Sequence, residues 1–119
     1  MLIALIQSDI VWGKPKANLL KLDEMIAKTP HADVYLLPEM FATGFVTSPE
    51  GMTETAQGPV FQWMQSRSKY LGAAIVGSIA VEENGLFYNR MYFVRPDGSW
   101  EHYDKRHLFG YGGEGEQYK

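Results

Sequence analysis

The sequence predicts an α/β fold in which one mixed sheet carries helices on one face. Three observations lead there. Short apolar runs alternate with segments of helical period through the first two thirds of the chain, as in layered α/β folds. Two tight-turn sequences, Asn84-Gly85 and Pro96-Asp97-Gly98, then separate further strand-like runs and make that part antiparallel. A 45% hydrophobic fraction with 13% aromatics supplies a core for a 119-residue chain and excludes a disordered one.

The elements follow in order. Residues 2–8 are continuously apolar at first and read as a first core strand. Trp12-Gly13-Lys14-Pro15 turns the chain, and Pro15 suits the first turn of a helix, where its missing N–H costs nothing. Leu19, Leu22 and Ile26, flanked by Leu20 and Met25, recur at helical spacing until Thr29-Pro30 ends the pattern. Val34 to Leu37 is short, apolar and β-branched at its start, which favours a buried strand. Residues 41–55 are mixed in composition, with Gly44, Pro49 and Gly51, and read as one long loop of functional length.

Gly58-Pro59 opens a second helix, with Val60, Phe61, Met64 and Leu71 on its inner face and Gly72 as its stop. Ala73 to Val81 is a buried strand. Leu86 to Arg95 and Trp100 to Asp104 follow as two more. A glycine-rich stretch, Gly110 to Glu116, comes after them.

Composition narrows the function. The net charge is −3 and the pI about 5.5, and lysines and arginines form no stripe, so nucleic acid is not an expected partner. No apolar run approaches the roughly 20 residues needed to span a bilayer, so a membrane is not expected either. The N-terminus is apolar at once and lacks a basic leader, which makes the cytoplasm the expected compartment. With no cysteine there is neither a disulfide framework nor a thiolate metal site. His31, His102 and His107 have no metal-binding spacing, so no metal is expected.

Two segments carry chemistry. In Leu36-Leu37-Pro38-Glu39-Met40-Phe41 a carboxylate follows a buried strand. In Tyr103-Asp104-Lys105-Arg106-His107-Leu108-Phe109 an ammonium follows another. A carboxylate base and a cation at strand ends are two parts of an acyl-transfer site. Taken singly, Glu39 is equally compatible with a solvated loop carboxylate, and Lys105-Arg106 with a surface pair. Phe41 and Phe45, in the loop after Glu39, are candidates for lining a substrate pocket, although aromatics of this kind more often belong to the core.

These segments together resemble the N-terminal part of the nitrilase superfamily, the carbon–nitrogen hydrolases. The matching pieces are the first strand, the Pro15 to Lys28 helix, Leu36-Leu37-Pro38-Glu39, Asn89 within Tyr88-Asn89-Arg90, and Tyr103-Asp104-Lys105 with His107-Leu108-Phe109. Pro38-Glu39-Met40-Phe41 with Thr43-Gly44-Phe45, and Lys105-Arg106-His107-Leu108-Phe109, look most like the omega-amidase branch.

The resemblance implies that residues 1–119 are the N-terminal portion of a single hydrolase domain, half of an αββα sandwich. It implies Glu39 as general base and Lys105 as catalytic lysine. Glu114, nine positions after Lys105, matches a second glutamate. The family's nucleophilic cysteine is then expected downstream of Lys119, and this chain alone is expected to be inactive. No metal or organic cofactor is implied. The implied partners are a small-molecule amide and further copies of the chain. Two alternatives stay open: a non-catalytic relative that holds a carbonyl ligand, and an unrelated small α/β domain. Against the latter, no phosphate-cradling glycine loop follows the first strand.

Overall fold

The computed structural model describes residues 1–45, 52–106, 108 and 118–119. The elements are β1 (Ile3–Leu5), α1 (Pro15–Lys28), β2 (Val34–Leu36), β3 (Glu54–Thr55), α2 (Pro59–Leu71), β4 (Ala74–Glu83), β5 (Leu86–Val94) and β6 (Trp100–Asp104). They make one mixed sheet in the order β1-β2-β4-β5-β6. β1, β2 and β4 run parallel, while β4, β5 and β6 run antiparallel. The parallel strands need crossovers, and α1 and α2 supply them. The antiparallel strands need only tight turns. Asn84 and Gly85 both take positive φ, 55° and 76°, as the predicted hairpin turn requires.

β3 was not expected. The long stretch after Glu39 ends in this two-residue strand, which pairs with Val81 and Glu82 on the same edge of β4 that holds β2 further back. Glu54 also caps α2, because its two carboxylate oxygens accept from Val60 N at 2.8 Å and Phe61 N at 3.1 Å. A carboxylate at a helix N-terminus satisfies orphan amides and meets the positive end of the helix dipole. Burial nevertheless pushes the Glu54 carboxyl above its ordinary value, against the lowering effect of those two bonds.

Alternation along the strands divides side chains between two faces of the sheet. Tyr35, Ile75, Ile79, Val81, Tyr92 and Val94 face the helices and meet Leu22 and Ile26 of α1 and Val60, Phe61, Trp63 and Met64 of α2. Phe61 packs on Tyr92, with ring centroids 4.6 Å apart, and on Trp100 at 5.1 Å. The fully buried Phe61 contributes roughly 1.5–3 kcal/mol by burial.

The opposite face carries Ile3, Leu5, Leu36, Met91 and Tyr103, all at least partly exposed. β1 is therefore not the core strand predicted over residues 2–8. It spans three residues at the sheet edge, and Leu5 is 74% exposed. Only Ala4 and Ile6 reach the helix-side core. A continuous apolar run predicts a core strand, and among the described residues only one face of β1 is covered.

Candidate active site

The site begins where β2 ends. Leu37 N still donates to Val76 O at 2.7 Å, as a strand residue would. Pro38 then offers no N–H, so the ladder stops. Met40 takes φ 53°, a left-handed conformation that costs a side-chain-bearing residue on the order of 1 kcal/mol. Two polar side chains from elsewhere in the fold help hold this bend. Met40 N donates to Ser78 Oγ at 2.9 Å. The buried Asn18 of α1 donates to Ala42 O at 2.7 Å.

The bend sends neighbouring side chains to opposite faces of the sheet. Phe41 goes to the helix side, fully buried, its ring centroid 5.9 Å from that of Trp63. It lies flat against β4 at Gly77, where an added Cβ would sit 2.8 Å from two Phe41 ring atoms. Glu39 goes to the open face.

The ammonium arrives from the other end of the sheet. Lys105 lies one residue past β6, and its N–H donates to Asn89 O at 2.9 Å, which continues the β5–β6 ladder. Its Nζ donates to Glu39 Oε2 at 2.9 Å, across 66 positions of sequence. Asn89 Nδ2 donates to the same oxygen at 2.7 Å. Both bonds fall on Oε2, so Oε1 carries neither. Asn89 is 2% exposed, while the Glu39 and Lys105 side chains stay 51% and 31% accessible. A cleft of about 280 Å³ surrounds them, with Leu36, Val76, Ser78, Met91 and Tyr103 along its walls.

Glu39 and Lys105, predicted to lie at strand ends, are thus in direct contact. Glu114 and His107 lie outside the described residues. Phe41 does not line the cleft, contrary to its expected place in a substrate pocket. The aromatic character that suggested a pocket comes from core packing on Gly77. Phe45 is not among the cleft's walls; its carbonyl accepts from Trp12 Nε1 at 3.2 Å. Asn89, Ser78 and Asn18 were not predicted as parts of the site. Their signal was available: each is a polar residue at a buried position of a strand or helix, where a hydrogen-bonding duty is the rule. Among the described residues no cluster of His, Asp or Glu could hold a metal ion, and no helix is long and apolar enough to cross a membrane.

A mixed sheet with two crossover helices on one face, and a glutamate meeting a lysine on the other, fits one class of protein. The sequence model of that class, described as carbon-nitrogen hydrolase, matches residues 2–118, and the chain belongs to this family. Among similar proteins, omega-amidase YafV of Escherichia coli (strain K12) is 37% identical over 117 residues, covering 98% of this chain and 45% of that protein. The 2-oxoglutaramate amidase of Bacillus subtilis (strain 168) is 36% identical over 111 residues, covering 90% and 43%. Among solved structures, XC1258 from Xanthomonas campestris, a CN-hydrolase superfamily protein, superposes with a TM-score of 0.92 at 33% identity, covering 98% of this chain and 44% of that one. The chain therefore spans less than half the length of the relatives it matches.

Proposed function

We infer that this chain supplies the base and the cation of an amide hydrolase of omega-amidase type, whose cysteine nucleophile lies downstream of Lys119. The observation that carries the reading is the shared use of Glu39 Oε2 by Lys105 and Asn89, which leaves Oε1 without either bond. In this reading Oε1 takes the proton of the attacking thiol and passes it to the departing ammonia. The acyl-enzyme that remains is cleared by a water, which Oε1 deprotonates in turn. Lys105 faces the oxyanion that each attack creates, a role often worth several kcal/mol. Asn89 fixes the carboxylate rotamer, so the base does not have to be oriented at the moment of reaction. Glu114 would keep Lys105 charged and in place.

The substrate proposed is a small ω-amide of a dicarboxylic acid, such as a 2-oxo acid amide derived from glutamine or asparagine. The names of the two amidase relatives and the match of Pro38 to Phe45 support this choice. The test follows ammonia release by the protein from the complete reading frame. The substrates are 2-oxoglutaramate, an aliphatic nitrile and an N-carbamoyl amino acid. Fastest turnover of 2-oxoglutaramate is expected. Preference for either of the others overturns the substrate assignment. Full activity in Glu39→Gln or Lys105→Ala overturns the roles. Binding of 2-oxoglutaramate without turnover would favour a non-catalytic relative.

A further inference from the structure

The face of the sheet opposite the cleft holds a buried arginine with partly exposed acidic partners directly behind the site. Arg90 is 3% exposed. Its guanidinium grips Asp104 with two bonds, Nε to Oδ1 at 2.7 Å and Nη2 to Oδ2 at 3.2 Å. It reaches Glu83 with two longer ones, both 3.3 Å. Arg90 and Asp104 are registered partners across β5 and β6, the last pair before Lys105. Asn89 and Lys105 are their immediate neighbours in sequence and point to the cleft, because successive strand residues alternate faces.

We propose that Arg90 and Asp104 are positioning residues that set Asn89 and Lys105 against Glu39 by locking the end of β6 in register. Among the described residues β6 is a five-residue edge strand with one neighbour, and its last residue is Asp104. Such an end frays unless something holds it. A slip of one residue would turn Lys105 to the helix side and leave the cleft without its cation.

The planar two-bond grip resists both slip and fraying, and only arginine presents that fork. Hydrogen bonding to Asp104, and less so to Glu83, raises the guanidinium's pKa still further, so Arg90 keeps its charge. A lysine ammonium sits at the end of a flexible stem. A backbone shift of about 1 Å at Lys105 would therefore be felt at Nζ, and displacements of that size can cost about a hundredfold in rate.

This inference rests on the amidase reading, and its test separates the two. In the complete protein, Arg90→Lys and Asp104→Asn are measured well below their melting temperatures. Each is expected to lower kcat by about tenfold or more, with KM changed less than about twofold. Hydrogen exchange at the Lys105 amide should speed up.

Glu83→Gln removes the outer, 42% exposed partner and tolerates replacement, so it carries the same test if the other variants do not fold. It should show faster exchange at the Lys105 amide and about a two- to threefold loss in kcat. Variants that melt earlier yet keep kcat and the exchange rate per folded molecule overturn the proposal. No turnover by the unmodified protein, or full turnover by Lys105→Ala, overturns the amidase reading instead. The exchange rate still decides whether the ion pair holds the strand end.

Discussion

Gly77 is the point at which core packing and site geometry meet, and Gly77→Ala measures how tightly they are joined. The new Cβ would stand 2.8 Å from Phe41 Cδ2 and Cε2 and 3.1 Å from Leu37 Cβ. Ordinary carbon contacts lie near 3.5–4.0 Å, so the ring must retreat by roughly 0.7 Å or more. It retreats against Trp63, which is itself in the core. Overpacking of this kind costs about 1–3 kcal/mol. At about 4 °C per kcal/mol for a chain of this size, the melting temperature should fall by about 4–12 °C.

Phe41→Leu alone removes three carbons from the core and should cost about 2 kcal/mol. In the double variant the smaller side chain makes room for the Cβ. The combined cost should then fall short of the sum by about 1–2 kcal/mol. Urea unfolding of the four proteins, followed by far-UV circular dichroism, gives the cycle. Additivity within about 0.5 kcal/mol, or a neutral Gly77→Ala, would show that Phe41 does not press on β4 as described.

Other outcomes follow from the same geometry. Asn89→Asp puts an acceptor where an amide now donates to Glu39 at 2.7 Å, so the bond that orients the carboxylate is lost; kcat/KM should fall by about tenfold or more, and an unchanged kcat/KM refutes the contact. Glu54 has its folded pKa raised above the ordinary 4.5, so the stability this contributes is full below the unfolded pKa and is lost as pH rises through the folded one. The urea midpoint of the native chain relative to Glu54→Gln should therefore decline across that window, whereas a constant difference would contradict the burial of Glu54. Arg67 pairs with Asp23 at 2.6 Å and lies 5.6 Å from the Trp63 ring centre, both partly in solvent; Arg67→Ala should cost about 1 kcal/mol in urea unfolding, and a loss above about 3 kcal/mol would mean that its role is misjudged.

The elements with strong local chemistry were legible in the sequence. Pro15 and Pro59 at helix starts, Gly72 at a helix end and Asn84-Gly85 at a turn gave boundaries that the structure reproduces, because each satisfies or fixes its own stretch of backbone. Glu39 and Lys105 were legible as strand-end residues, and their family match set them apart from ordinary surface charges.

What the sequence did not reveal depends on partners far along the chain. β3 is two residues long and exists by pairing with β4, so no local period announces it. Leu2 to Ile6 reads as core by apolarity, yet burial depends on what covers each face. Phe41, from a loop, meets Trp63, from a helix, while its ring lies on Gly77, and a glycine gives no sign in sequence that a ring will lie on it. Asn89 could be seen as out of place in a strand, but not which carboxylate it would hold.

β4 is also a seam between two kinds of assembly. On one side, β5 and β6 are added by hairpins, so Asn89 and Lys105, 16 positions apart (105 − 89), meet after a short search. On the other, Glu39 reaches Asn89 across 50 positions, and only once α1, β2 and α2 have crossed over the sheet. Closing the longer loop costs more entropy and depends on non-local pairing, which is the slow part of folding. The cation and amide are thus organised by the early, local half of the molecule, and the carboxylate is delivered by the late half. In a refolding experiment the Lys105–Glu39 contact should form with the slowest phase. Mutations in the Asn84-Gly85 turn should slow the approach to the folded state, while mutations in the Pro38 to Gly44 bend should mainly quicken its loss.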